Sequence, residues 1–478
     1  MKTRFLKGIF LFVVSTCRLI AQDANYWQSN YSPGGLLTPG AVVAYDNNKG
    51  FFYVNPALLA INPKSSVSLS ANVYQLDWLA IKDGVGNGKN LRGISFKVNP
   101  QIISGTIAFK KNKTIALGYA LLQNPVLRYR ATQRQDAQMQ VLSDSYSPGI
   151  EHYVGQYSTH NRVNQTTASG AIGLKLTNRW SVGLTLEGQI RTQDIYEQYS
   201  SRALINTTDA NELFPPLTNV ESSYQAVYWH AGLRFKGGVS YDVSIHHLGL
   251  VLSSPMVSIK GRAVVTSDLV VSTLRDLNTN TEINLLANGN QTNLPVRYKM
   301  PFSIAAGYAI DLEKGQINVV SEYFLSVPAY NIITPSNGSF IRPDTDFNRS
   351  KTTELLQLRE SRKSVLNFAM GCSYFINPGV SLIGSLRTDF SYGTDENSDQ
   401  TPNTNRWNNY NAQFGGNFKR RKFNLRAGLL LTYGRTTIYR QPFNFDNPNE
   451  SNLMQGDVQP VNASFLSTGL LLAYIHNL

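Results

Sequence analysis

Apolar and polar residues alternate with a period of two along most of the chain. Arg179–Arg191 carries the pattern best: Trp180, Val182, Leu184, Leu186 and Ile190 share one parity, and Ser181, Thr185, Glu187, Gln189 and Arg191 share the other. Successive side chains of a strand point to opposite faces, so this stretch reads as a strand with one apolar and one wet side. Phe302–Leu312 and Phe423–Tyr433 repeat it. The alternation predicts about fourteen strands. Seven are Ser65–Lys82, Leu91–Lys110, Lys113–Arg130, His160–Leu176, Arg179–Gln198, Ser223–Val243 and His247–Val271. Seven more are Val296–Leu312, Gly315–Tyr330, Arg362–Ile376, Gly379–Phe390, Arg406–Lys419, Phe423–Arg440 and Val461–Asn477.

The connections alternate as well. Tight turns fall at 110–113, 176–179, 244–247, 312–315, 376–379 and 419–422. Long loops fall at 83–90, 131–159, 199–222, 272–293, 331–361, 391–405 and 441–460. Short turns at one end and long loops at the other are the layout of an antiparallel barrel that crosses an outer membrane. Many of the strands exceed the nine to eleven residues that a tilted strand needs to cross hydrocarbon. A soluble sandwich or propeller also alternates in period two but explains neither the loop pattern nor such long strands. The expected fold class is therefore all-β, a transmembrane antiparallel barrel of about fourteen strands, with both termini on the periplasmic side.

Composition points the same way. Of 478 residues only 16% are charged while 11% are aromatic, including 25 Tyr and 22 Phe. This suits an outer face toward lipid and aromatic belts at the interfaces. The formal charge of +13 falls to +9 once Lys2, Arg4, Lys7 and Arg18 are removed with a secretory leader. That leader reads as 1–21, with a basic end, an apolar Gly8–Val14 core and Ala21 before the cut. Cleavage takes Cys17 and leaves Cys372 alone, so no internal disulfide forms. The basic residues are scattered and show no stripe interleaved with stacking aromatics, which argues against nucleic acid and for loops facing anionic lipid head groups.

Between leader and strands, Gly50–Asn62 sets Phe51, Phe52 and Tyr53 before an Asn55-Pro56 corner, an apolar quartet and a second Asn-Pro. Asn before Pro is driven out of the helical region, so the chain turns there. The stretch reads as a compact plug, and 22–62 as an N-terminal hatch inside a barrel formed by 63–478.

Asn55-Pro56-Ala57, with Gly40-Ala41 upstream, resembles the hatch triplet of the FadL/TodX family, outer-membrane transporters for long-chain fatty acids and aromatic hydrocarbons. Pro301-Phe302-Ser303 with Gly307-Tyr308, and Ser253-Ser254-Pro255 with Lys260-Gly261, resemble strands of the same family. The resemblance implies a hatch-closed fourteen-strand barrel that takes up hydrophobic small molecules passively and releases them sideways into outer-membrane lipid. A second expectation from the same superfamily is a docking or shuttle subunit of an outer-membrane secretion machinery, binding a protein partner. A general porin comes third, and an apolar plug argues against it.

Candidate site residues follow. Tyr26, Trp27, Tyr31, Phe51, Phe52 and Tyr53, with Asn55, Pro56 and Ala57, fit two roles, lining a ligand pocket or packing the hatch. Glu187, Gln189, Arg191, His230 and Arg234 face the lumen by parity, to anchor a carboxylate or to form an internal hydrogen-bond network. Asn124-Pro125 interrupts the third strand, because proline removes a ladder donor. It marks either a wall gap or the outer rim, the rim being the favoured reading. No metal-ligand cluster, phosphate loop or nucleophile motif is present, so neither catalysis nor a cofactor is expected.

Overall fold

The computed structural model describes residues 24–27, 42–44, 53–61, 65–109, 114–206, 214–276, 281–342, 352–394 and 407–478. The expected leader, Tyr31, Gly40, Ala41, Phe51, Phe52, Asn62 and the turn at 110–113 lie outside them. Nineteen strands are described: β1 (Ser66–Ile81), β2 (Leu91–Ala108), β3 (Ile115–Met139), β4 (Glu151–Lys175), β5 (Trp180–Leu204), β6 (Leu217–Val243), β7 (His246–Ser253), β8 (Val257–Asp276), β9 (Thr281–Pro295), β10 (Ser303–Leu312), β11 (Gly315–Phe324), β12 (Val327–Ile333), β13 (Ile341–Arg342), β14 (Leu358–Arg362), β15 (Val365–Asn377), β16 (Val380–Asp389), β17 (Asn408–Lys419), β18 (Phe423–Arg440) and β19 (Pro460–Asn477).

Fourteen of these close a ring in the order β1, β2, β3, β4, β5, β6, β7, β10, β11, β15, β16, β17, β18, β19, every neighbour antiparallel. β1 pairs with β19 from Ser66↔Asn477 to Ile81↔Ala463, so the first and last strands close the ring. The start of β1 and the end of β19 therefore meet at the short-turn end of the barrel.

The wall is inside-out relative to a soluble protein. On β5, Leu184, Leu186 and Ile190 are exposed outside, while Thr185, Glu187, Gln189 and Arg191 are buried inside. The same inversion holds on β18, where Leu425, Leu429 and Leu431 face out and Asn424, Arg426 and Thr432 face in. Such an apolar exterior is stable only against hydrocarbon. Aromatic pairs such as Trp180–Tyr241 and Phe423–Tyr474 stand at the short-turn end of this band.

The expected strands hold in number and change in outline. β3 to β6 run 25 to 27 residues each, so most of the expected 131–159 loop is strand. The expected His247–Val271 strand breaks into β7 and β8 at Ser254–Met256, where Pro255 offers no ladder donor. β6 bridges the break, pairing with β7 through Lys236–Val243 and with β8 through Asn219–Leu233. Above the break β8 forms a hairpin with β9; below it β7 pairs with β10. The expected Val296–Leu312 strand accordingly starts only at Ser303. Two single α-helical turns are described, α1 (Leu58–Ile61) and α2 (Thr352–Leu355).

Pro125 does not end the wall, because β3 continues to Met139 beyond it. It sits at a bulge in the β3–β4 ladder. Pairing of β3 with β2 covers only Ile102↔Leu122 to Ala108↔Ala116. Past Leu122, β3 pairs with β4 and β2 pairs with β1, so among the described residues the β2–β3 ladder is interrupted there.

Candidate functional site

The inner wall carries a bed of glycines. Gly173, Gly183 and Gly238 are in register across β4, β5 and β6, and Gly249 pairs with Gly307 across β7 and β10. All five lie on the lumen parity of their strands. Asn55-Pro56-Ala57 and α1 rest on the first three, and Val43-Ala44 on the other two. A Cβ on Gly173 would come within 2.7 Å of Leu59 Cβ, and one on Gly307 within 2.7 Å of Val43 Cβ. On Gly238 it would overlap the Asn55 side-chain oxygen. Backbone and side chains of the N-terminal segment thus occupy space that any larger residue would fill.

Asn55 fixes this segment. Its side-chain nitrogen donates to the carbonyls of Val43 at 2.7 Å and Val239 at 3.3 Å, and its oxygen accepts from the Ala57 amide at 3.0 Å. The side chain therefore ties two parts of the segment to each other and to β6. Asn55 and Ala57 are fully buried, and Leu58 and Leu59 nearly so. Tyr53 packs on a lumen cluster of Ile102, Leu122, Ile383, Leu430, Leu471 and Ala473. Lys236 lies over its ring at 4.6 Å and pairs with Glu187 at 2.6 Å.

Residues 24–27 dock elsewhere on the lumen wall. Tyr26 stacks on Phe324 at 4.1 Å and leans on Tyr392 at 4.5 Å. Burial pushes its hydroxyl pKa up to about 12, with the Arg362 guanidinium pulling it part of the way back. The Trp27 indole donates to Glu322 at 2.7 Å and its amide to Asp389 at 3.0 Å. The Asn25 side chain donates to the Asp389 carbonyl at 2.7 Å.

The five polar lumen candidates, Glu187, Gln189, Arg191, His230 and Arg234, face inward and are buried, and they form no single cluster. Glu187 is held by Lys236. Arg234 donates to the carbonyls of Ser254 at 3.0 Å and Pro301 at 3.4 Å and to the Ser303 hydroxyl at 3.2 Å. Those three acceptors border the β7–β8 and β9–β10 breaks, so Arg234 stitches them. Arg191 lies over the Tyr298 ring at 4.3 Å and donates to Tyr228 and Gln193. His230 meets Ser258 at 2.9 Å and the edge of Tyr298.

Sequence reasoning missed one fully buried charge. Arg362, at the end of β14, is fully buried, forked onto Glu360 at 2.9 and 3.0 Å and surrounded by the rings of Tyr298, Tyr392 and Tyr26. Tyr330 donates to the same Glu360. Arg359 to Arg362 read as a loop-to-strand boundary, and only the alternation Glu360–Arg362 hinted that both point one way. The glycine bed was legible in principle, since the five glycines fall on the lumen parity of their strands.

Toward the long-loop end the lumen is filled by apolar side chains. Phe443, Phe445 and Met454, from the segment between β18 and β19, are fully buried against Tyr153, Tyr157 and Ile195. The cluster of Ile102, Leu122, Leu430 and Leu471 lies further along, and Ile102 and Leu122 are the last rungs before the β2–β3 interruption. A concavity of about 880 Å³ is lined by the outward side chains Tyr74, Phe96, Leu386, Phe414 and Leu429. It faces lipid, not the lumen. Among the described residues no group of His, Cys, Asp and Glu suits a metal ion.

No protein-family profile matches the chain, and no curated protein matches it. Solved structures do. The Pseudomonas putida toluene transporter TodX superposes with a TM-score of 0.58 at 12% identity, over 96% of this chain and 100% of that one. A Pseudomonas aeruginosa FadL homologue gives 0.58 at 10% identity, over 95% and 100%. The Ralstonia pickettii toluene transporter TbuX gives 0.55 at 11% identity, over 94% and 99%. The fold is that of the FadL/TodX barrels, shared along nearly the whole chain.

Proposed function

We propose that this chain is a passive outer-membrane channel for hydrophobic solutes, long-chain fatty acids or hydrocarbons, and that it performs no catalysis. The observation that carries the reading is the placement of the apolar lumen cluster beside the interrupted β2–β3 ladder. A hydrophobic solute gains nothing from a water-filled pore, but it gains from an apolar lining that ends at a gap facing lipid. In this reading 1–21 is a leader, 22–62 is a hatch seated on the glycine bed, and 63–478 is the barrel. The long loops face outside and both termini face the periplasm. Tyr26, Trp27, Phe51, Phe52, Tyr53, Asn55, Pro56 and Ala57 hold the hatch and line the route. Likeness of fold to toluene transporters and to a FadL homologue supports the substrate class.

The test is uptake of labelled oleate and of labelled toluene by cells that lack channels of their own for these compounds. Expression of the chain raises uptake of one or both, with no rise for a sugar of similar mass. A folded, inserted barrel that raises neither would refute the proposal.

A further inference from the structure

We propose that the outer wall carries a binding site for a phosphorylated glycolipid head group of the outer leaflet, built around Arg162 and Arg262. A cleft of about 470 Å³ opens on the outside of β4, β5, β6 and β8, and both arginines line it. Between them lie the Trp229 indole, Val227 and Val264. Trp229 is directly opposite Arg262 in the β6–β8 ladder, and Arg162 is opposite Arg128 in the β3–β4 ladder. All three arginines are exposed. Among the described residues Asp194 is the one acidic side chain lining the cleft; it stands directly opposite Arg162 in the β4–β5 ladder and is engaged by His160 at 3.3 Å. The cleft therefore presents guanidinium groups on both flanks and an aromatic-aliphatic floor.

Depth selects the ligand. Climbing β5 from the short turns, the outward residues run Trp180, Leu184, Leu186, Ile190, and then become Thr192 and Asp194. On β6 they run Tyr241, Phe235, Leu233, Ala231, and then reach Trp229. About ten residues is the length that crosses hydrocarbon, so Trp229 stands at the far interface and the arginines at or just beyond it. That is the level of outer-leaflet head groups. Guanidinium groups bind phosphate through paired N–H donors, and an indole and two valines suit the sugar and proximal acyl carbons of an amphiphile better than a bare anion. Strands three steps apart put the two flanks roughly 14 Å apart before side-chain reach, the span of a head group rather than of one phosphate.

The inference rests on the proposed orientation, with the long loops outside, and the experiment separates the two. The protein carrying Cys372→Ser and Ser145→Cys is first labelled on intact cells with an impermeant maleimide; labelling at position 145 establishes the orientation. The full-length protein is then purified in mild detergent and bound lipid is measured by native mass spectrometry. Diphosphorylated lipid A, dephosphorylated lipid A and inorganic phosphate are the probes. The wild type retains diphosphorylated lipid A, and Arg162→Gln with Arg262→Gln loses at least tenfold in occupancy. Arg421→Gln, on a short turn, binds as the wild type does. Each variant is checked for the compact, heat-modifiable form on gels. Equal retention by wild type and double variant would overturn the proposal. So would equal binding of dephosphorylated lipid, or displacement by millimolar inorganic phosphate, which marks a free-anion site. Labelling at 145 together with any of these results would sink the site and leave the orientation standing.

Discussion

Gly237 and Gly238 are neighbours on β6 that face opposite sides of the wall, and they make a matched pair. A Cβ on Gly237 meets nothing within 4 Å, whereas one on Gly238 overlaps the Asn55 side chain and lies 2.9 Å from Pro56 Cδ. Both changes to alanine carry the same effect on strand propensity, so their difference isolates the contact with the N-terminal segment. Overpacking of this kind costs about 1–3 kcal/mol. The cost falls on seating of the segment, because every wall strand keeps its ladder partners. At about 1.4 kcal/mol per factor of ten, the seated-to-unseated ratio drops roughly five- to hundredfold. The amides of Leu58, Leu59 and Ala60 bond back to the carbonyls of Asn55, Pro56 and Ala57 at 3.2 Å each, so their hydrogen exchange reports seating directly. Gly238→Ala accelerates that exchange by this factor and raises leakage of small sugars from proteoliposomes. Gly237→Ala does neither. Identical exchange and leakage in the two variants would refute the assignment of the glycine bed as the seat of the segment.

Two further substitutions probe the wall and the buried charge. Leu184 is 52% exposed on the lipid face, so Leu184→Arg destabilises the reconstituted barrel by about 2–4 kcal/mol in denaturant unfolding if the residue lies near the midplane, while Leu184→Val stays within about 1 kcal/mol. Arg362→Met leaves Glu360 buried without its cation and costs about 3–5 kcal/mol; adding Glu360→Gln recovers most of the loss, which calorimetry of the purified protein reads.

The barrel was legible because its signal is redundant. Lipid outside and polar groups inside force a period of two on every strand, and each of fourteen strands repeats the message. What the period does not encode is where a ladder stops. His247–Val271 keeps enough alternation to pass as one strand, and only the pairing of β6 with two partners exposes the break at Ser254–Met256. The rim reading of Pro125 rests on its place about a dozen residues past the turn at 110–113, near the rim at the rise of a tilted strand. The β3–β4 ladder instead absorbs it in a bulge and continues to Met139. The lumen contacts were harder still. Parity put Glu187, Arg191, His230 and Arg234 inside, but their partners Lys236, Tyr298, Ser258 and Ser254 depend on which strands are neighbours and on side chains folded in from loops. Glu360 and Arg362 belong to β14, outside the closed ring, and no wall periodicity could place them.

Two interruptions of the wall among the described residues differ in how their polar groups are met. At the β7–β8 and β9–β10 break, Arg234 supplies donors to the Ser254 and Pro301 carbonyls and to Ser303, and the Ser254 amide bonds the Phe235 carbonyl at 2.8 Å. This break is therefore held shut from within. At β2–β3 the ladder simply ends at Ile102↔Leu122, beside the apolar cluster that receives Tyr53. That contrast is why the proposed sideways route runs through β2–β3 although proline marks both. It also makes a demand. Arg234→Met removes a charge-assisted donor set from buried carbonyls, each of which costs about 1–3 kcal/mol when left unmet. The variant should lose roughly 2–4 kcal/mol in unfolding, and exchange of the Ser254 and Met256 amides should quicken while amides of β16 and β17 stay as they were. Uptake through β2–β3 should persist in whatever fraction folds. Loss of uptake in fully folded Arg234→Met protein would move the route to the β7–β8 break.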